Sequence, residues 1–260
     1  MTDFASPVAP RPWVVFDLET APLPNAVEFL ELIPDAVPDD SPIEADRRLT
    51  DPVKIAADLE KKRLARIEQD REAQEKVEQQ RATRLERASL DWNVGRIVAV
   101  GLQTESMDAP QTAIAEDEKR EREILFWLWE TLSARRPVVG FRIRSFDVPY
   151  AIQRSRLLRL VPPRISLARW ENHDLCDLFD LLTFSDTQDT KVMRHTLARF
   201  AQRFGVQHDA SISGADIPTL VAAGEWDQVR AHVHADVETT VALAEQLGVI
   251  RREQRTAAVA

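Results

Sequence analysis

Apolar residues are spaced in two ways along the chain. Some fall in short β-rich runs. Arg11-Pro12-Trp13-Val14-Val15-Phe16-Asp17, entered through prolines, reads as a buried strand, and Gly95-Arg96-Ile97-Val98-Ala99-Val100-Gly101-Leu102 as a second. Gln111-Thr112-Ala113-Ile114 predicts a third strand and Pro137-Val138-Val139-Gly140-Phe141 a fourth. Other runs keep a helical period. Residues 116–134 place Ile124, Leu125, Leu128 and Leu132 on one stripe. A further helix starts near Asp147. The last third predicts helices at 175–183, 194–204, 217–223 and 226–247, the final one closed by Gly248. Strands first, then alternating helix and strand, then helices, predict a mixed α/β fold with helices on both sheet faces.

Between the first two strands the texture changes. Residues 21–50 hold five prolines and many acids and predict an irregular, exposed segment. Residues 51–90 have no glycine, no internal proline, and nearly half charged residues balanced in sign. They predict one long solvent-exposed helix, supported by i,i+4 pairs such as Glu72–Lys76. Its apolar positions (Ile55, Leu59, Leu64, Ile67, Val77, Leu85) hold no heptad, which favours an arm lying against the body over a coiled coil. The expected organisation is one domain over residues 11–250, with a helical insertion at 46–92 and flexible tails at 1–10 and 251–260.

Composition narrows the class. At 260 residues, 44% hydrophobic and 30% charged, the chain can bury a sizeable core. Its longest apolar stretch, near Ile97–Leu102, is far short of the roughly 20 residues that a membrane span needs. Met1-Thr2-Asp3-Phe4 lacks the basic flank and apolar region of a secretion signal, and a single cysteine, Cys176, allows no internal disulfide. The expectation is a cytoplasmic protein that makes no contact with a membrane. A net charge of −9 argues against a protein that coats nucleic acid electrostatically. The distribution is uneven: residues 1–50 carry ten acids against three bases, whereas residues 141–170 carry seven arginines against Asp147 alone. That basic stretch reads either as a solvated helix face or as a wall facing a polyanion.

Four acids occupy special places. Asp17 and Glu19, in Phe16-Asp17-Leu18-Glu19-Thr20, come at the end of the first strand, and residues i and i+2 of a strand share a side. Asp147 follows a strand and Phe146; it reads as a helix N-cap, as a functional carboxylate, or as both. Asp236 lies one helical turn after His232, beside the apolar stripe Val229, Val233, Val237 and Val241. That pair reads as a surface ion pair or a catalytic one, while His234 and Glu238 point elsewhere.

In this order the motifs resemble those of the DEDD 3′–5′ exonucleases of the ribonuclease H-like fold. The likeness is to the branch related to the proofreading domain of family B DNA polymerases. It rests on Phe16–Thr20, on Val139-Gly140-Phe141-Arg142-Ile143-Arg144-Ser145-Phe146-Asp147 and on His232-Val233-His234-Ala235-Asp236-Val237. It extends through residues 95–101 and 223–227, over most of 12–248. Two positions depart from the pattern: Arg142 stands where an asparagine is usual, and His232 stands at the spacing of a tyrosine, with Ala231 at that of the alternative histidine. The resemblance implies a ribonuclease H-like mixed sheet flanked by helices, with a long charged helical insertion after the first strand. It implies two Mg²⁺ or Mn²⁺ held by Asp17, Glu19, Asp147 and Asp236, with His232 orienting or deprotonating water. Thr20 and Phe146 would meet the terminal nucleotide, and Arg142, Arg144 or Arg154 the phosphates. The implied reaction is metal-dependent hydrolysis of phosphodiester bonds from the 3′ end of a single strand, most simply DNA, to nucleoside 5′-monophosphates. Two other readings compete: a catalytically impaired nucleic-acid-binding module of the same fold, and an interaction protein that binds a protein partner through the 51–90 arm.

Overall fold

The computed structural model describes residues 12–168, 174–184 and 195–252. Two compact units divide the chain, residues 24–88 forming one and the flanking segments the other. The larger unit is built on a five-stranded sheet of order β3-β2-β1-β4-β5. β1 (Val14–Pro22) pairs antiparallel with β2 (Gly95–Thr104), and β2 antiparallel with β3 (Gln111–Ile114). On the other side β1 runs parallel to β4 (Val138–Gly140), and β4 parallel to β5 (Leu175–Asp177). This is the mixed, helix-flanked α/β sheet expected from the sequence.

Two of its strands differ from the sequence reading. β1 does not stop at Asp17 but continues to Pro22, so Asp17 and Glu19 lie within a central strand. Leu175-Cys176-Asp177, expected to open a helix, pairs with β4 as β5, and only then does the short helix α5 (Leu178–Thr183) begin. A three-residue apolar run cannot declare itself a strand; its partner makes it one.

Alternation along β1 sorts its side chains. Val14, Phe16 and Leu18 face a core shared with α3 (Glu118–Ala134) and α4 (Asp147–Leu157), where Ile124, Leu125, Leu128 and Leu132 are buried as expected. Trp13 and Val15 face the opposite core, formed with α6 (Leu197–Phe204) and α8 (Trp226–Gln246). Asp17 and Glu19 have the parity of that second face. A bulge adjusts the sheet there: the pairing passes over Val98 between Glu19 and Thr20, and Val98 and Ala99 both join the cluster against α7 (Ile217–Ala223) and α8. Helix α8 crosses this face on its fully buried stripe Val229, Val233, Val237 and Val241. Gly101 permits the approach, since a Cβ there would lie 2.9 Å from the Val237 Cγ2 and 3.1 Å from the Val233 backbone oxygen.

The second unit contains the one-turn helix α1 (Ala26–Phe29) and the 36-residue helix α2 (Pro52–Arg87), capped by Asp51. The segment before α2 has little regular structure, as expected, yet residues 31–46 run antiparallel along the helix through polar contacts. Arg84 Nη1 donates to the Glu31 carbonyl (2.7 Å), Gln74 Oε1 accepts from Ala36 N–H (3.2 Å), Lys62 Nζ donates to the Glu44 carbonyl (2.8 Å), and Asp58 accepts from Asp46 N–H (2.9 Å). No residue of α2 is fully buried. Its internal charge pairs include Asp58–Lys62 and Arg71–Glu75; Glu72–Lys76 is not among those described.

Within the tails, residues 1–11 and 253–260 lie outside the described residues. Residues 251 and 252 are held rather than loose: Trp13 Nε1 donates to the Arg251 carbonyl, and Arg252 pairs with Glu245 at 3.0 Å. No helix among the described residues is long and apolar enough to cross a membrane.

The most buried ion pair among the described residues joins α3 to α4. Arg154 donates through Nε and Nη2 to both oxygens of Glu121 (2.8 and 2.7 Å), and Glu121 also accepts from Ile97 N–H. Removing one member leaves the other charged and unsatisfied, so Glu121→Ala should lower unfolding stability by about 3–5 kcal/mol. Urea titration followed by circular dichroism checks this; a loss below about 1 kcal/mol would show that the pair is not sequestered from water.

Candidate active site

The three stretches that carry the four carboxylates meet on the α8 face of β1. His232 Nε2 lies 3.2 Å from Glu19 Oε1 and 3.8 Å from Asp236 Oδ2. One ligand atom from each of Glu19, His232 and Asp236 falls within 4.8 Å of the others. Asp236 is therefore part of a buried-edge cluster and not a surface ion pair, whereas His234 and Glu238 pair with each other at 3.4 Å, as their spacing predicts.

Asp147 reaches the site from the loop after β4. β4 pairs with β1 only at Val14 and Val15, and farther along β1 the Leu18 N–H donates to Asp147 Oδ1 at 3.2 Å. The N-cap reading of Asp147 is thus corrected. Phe146 occupies the cap position without a side-chain cap bond, and Asp147 is the first helical residue, its carboxylate spent on the neighbouring strand. Gly140 makes the turn possible, since a Cβ there would stand 2.2 Å from Ile143 Cγ2 and 2.9 Å from the Phe16 backbone oxygen.

Asp177, which the sequence reading passed over, pins that loop. Its buried carboxylate accepts from the backbone N–H groups of Arg142 (2.8 Å), Arg144 (3.0 Å) and Phe179 (3.0 Å). Burial raises its pKa, and the N–H groups from the loop oppose that rise. Two more neighbours were missed. His208 Nδ1 lies 3.9 Å from Asp236 Oδ1 and 3.2 Å from Thr239 Oγ1. The turn Gly214–Asp216 carries a capping box and brings Gly214 up to His232 and Glu19. The Ser213-x-x-Asp216 spacing was a usable signal for that turn.

The arginines expected to meet phosphate are largely engaged within the protein. Arg154 is sequestered with Glu121. Arg144 is buried, pairing with Asp180 at 2.9 Å and donating to the carbonyls of Ala168 and Leu175. Arg142, in a left-handed backbone conformation (φ 63°), sets its guanidinium 3.8 Å from the Phe179 ring centre and donates to the His195 carbonyl. Phe146 is half-buried against Tyr150, and Thr20 is buried. The polyanion-facing wall read from residues 141–170 is, at Arg144 and Arg154, an internal framework.

The electrostatics of the carboxylates are those of crowding. Asp17 is held well above the usual range by burial and then by the charges of Asp147, Glu19 and Asp236. Asp147 is pushed up to about 8 by burial, against the pull of backbone N–H groups. Burial raises Glu19 and Asp236 too, with His232 opposing both shifts. For His232 burial favours the neutral ring, but its hydrogen bond to Glu19 and the charges of Glu19, Asp236 and Asp216 outweigh it, and the pKa rises.

This donor set fits divalent cations. Asp236 Oδ1 is buried without a hydrogen-bond partner. Crowded carboxylate oxygens suit hard ions such as Mg²⁺ or Mn²⁺. Glu19, His232 and Asp236 offer ligand atoms close enough together that they could hold an ion.

Residues 85–248 match the RNase H superfamily. The chain belongs to the RNase H superfamily. Among solved structures this RNase H superfamily member is similar to the family B DNA polymerase from the hyperthermophilic archaeon Pyrobaculum calidifontis. The TM-score is 0.53 and the identity 17%, over 92% of this chain and 24% of that one. The match thus spans about a quarter of the polymerase's length, and the likeness is one of fold. No curated protein matches the sequence.

Asp147 holds its proton up to about pH 8, whereas an unfolded aspartate loses it near pH 3.9. The folded state therefore binds more protons between those values, and stability contributed by protonated Asp147 is lost as pH rises through them. Asp147→Asn keeps an acceptor for Leu18 and removes the charge. In EDTA at pH 8 it should raise the melting temperature, by about 2–4 °C for each kcal/mol of repulsion relieved, and flatten the pH dependence. A melting temperature at or below wild type would contradict the crowding.

Proposed function

We propose that this RNase H superfamily protein is a metal-dependent 3′–5′ exonuclease, acting on single-stranded nucleic acid, DNA foremost, and releasing nucleoside 5′-monophosphates. The observation that supports this most is geometric: Glu19 on β1 and His232 and Asp236 on α8 bring ligand atoms within 4.8 Å of one another, and Asp147 is hydrogen-bonded to Leu18 of the same strand that carries Asp17. Asp17, Glu19, Asp147 and Asp236 would hold two Mg²⁺ or Mn²⁺, which when bound lower the pKa of water and neutralise charge on the attacking and leaving oxygens.

The chain's own groups divide the remaining work. Asp147 is oriented by backbone N–H groups, that of Leu18 reaching its Oδ1. His232 Nε2, beside Glu19 Oε1, is where a proton can be held or taken up next to the scissile bond. Phe146 and Thr20 flank the carboxylates in sequence and are the candidates for contact with the terminal nucleotide.

The test is a time course on 5′-labelled single-stranded DNA and RNA with Mg²⁺, Mn²⁺ or EDTA. A ladder shortening from the 3′ end is expected with metal and none with EDTA, and Asp17→Ala or Asp236→Ala should abolish it. Degradation by these variants at the wild-type rate would refute the assignment. His232→Ala should lower kcat by about 10²-fold and change the pH–rate profile. If both stay as in wild type, His232 has no part in the chemistry.

A further inference from the structure

Residues 141–146 separate Asp147 from the end of β4, and a loop of that length needs restraint to deliver one carboxylate to one place. The restraint comes from β5. Asp177 is the register partner of Gly140, where the loop leaves the sheet, and it is only 4% exposed. Its Oδ1 accepts from the Arg142 and Phe179 N–H groups and its Oδ2 from the Arg144 N–H, so both oxygens are used and the loop is held at two alternate residues. Arg142 needs such a hold, for its left-handed backbone (φ 63°) is one that residues other than glycine seldom adopt. Its guanidinium lies 3.8 Å from the centre of the Phe179 ring, on the other residue whose amide Asp177 holds. From there the restraint passes along the backbone. Phe146 N–H donates to the Arg142 carbonyl (3.1 Å) and Val148 N–H to the Ile143 carbonyl (2.9 Å), which fixes the residues on both sides of Asp147. Asp147 then meets the Leu18 N–H.

We propose that Asp177 is a positioning residue for Asp147: its grip on the Arg142 and Arg144 amides sets where Asp147 presents its carboxylate to a divalent cation. The cation rests on the nuclease reading; the placement does not, and the two are measured separately. In metal-free, full-length protein at one pH, the Leu18 amide signal of a nitrogen–proton correlation spectrum reports the bond to Asp147. Asp147→Ala marks the loss of that bond by an upfield shift of the amide proton. Asp177→Ala should move the Leu18 signal in the same direction. In calorimetry it should bind Mn²⁺ about 10–100-fold more weakly, the usual cost of removing a group that orients a metal ligand. Asp177→Asn, uncharged like alanine, keeps one acceptor for Arg142 and Phe179 and should fall between alanine and wild type in both readouts. A role confined to stability would lower the melting temperature with the Leu18 signal unmoved, and a role through charge alone would make asparagine as weak as alanine; either overturns the proposal. If the alanine protein does not fold, the asparagine protein decides: its Leu18 signal must move toward that of Asp147→Ala, and an unmoved signal overturns the proposal. If the wild-type protein binds no Mn²⁺, the nuclease reading fails while the Leu18 signal still decides the placement.

Discussion

Like charges held in a poorly solvated place repel, and Asp17, Glu19, Asp147 and Asp236 are so held. Nothing in their own chemistry favours the meeting; each pKa moves upward because the ionised form is penalised. What brings them together is apolar packing elsewhere. Four fully buried valines hold α8 on the sheet, and alternation along β1 puts Phe16 and Leu18 in one core while its acids face the helix. The fold supplies the restraint, and the site is where that restraint is used.

The opposing charges nearby are few and specific. His232 moderates Glu19 and Asp236, and backbone N–H groups serve Asp147 and Asp177. Two of the arginines that crowd the sequence around Asp147 do something else. Arg144 and Arg154 bind acids and carbonyls inside the protein, fixing α4 and the loop before it. A basic stretch in sequence is therefore a poor guide to surface potential when some of its guanidiniums satisfy acids inside the protein.

Much of this was legible in the sequence. Strand alternation placed Asp17 and Glu19 on one side, the i,i+4 spacing placed His232 with Asp236, and the valine stripe marked the buried side of α8. Four of the five strands, the long charged helix and the helix end at Gly248 followed from local patterns. What was hidden depended on partners far along the chain. Leu175–Asp177 is a strand only because β4 lies beside it, and Glu121 looks like any exposed helical acid until Arg154 meets it. Asp177 read as part of a helix, and its grip on the Arg142 and Arg144 amides is a tertiary fact. Asp147 read as a cap, a functional carboxylate or both because a helix does begin there; the Leu18 N–H that reaches it lies on β1.

His232 and Asp236 ride on the same rigid helix, seated where Val233 and Val237 touch Gly101, the register partner of Asp17. In the proposed nuclease, the position of one cation ligand and that of the proton-handling imidazole would consequently share a single mechanical coordinate. A methyl group added along that seam, or a small tilt of α8, would shift both together, so neither can drift in evolution while the other stays fixed.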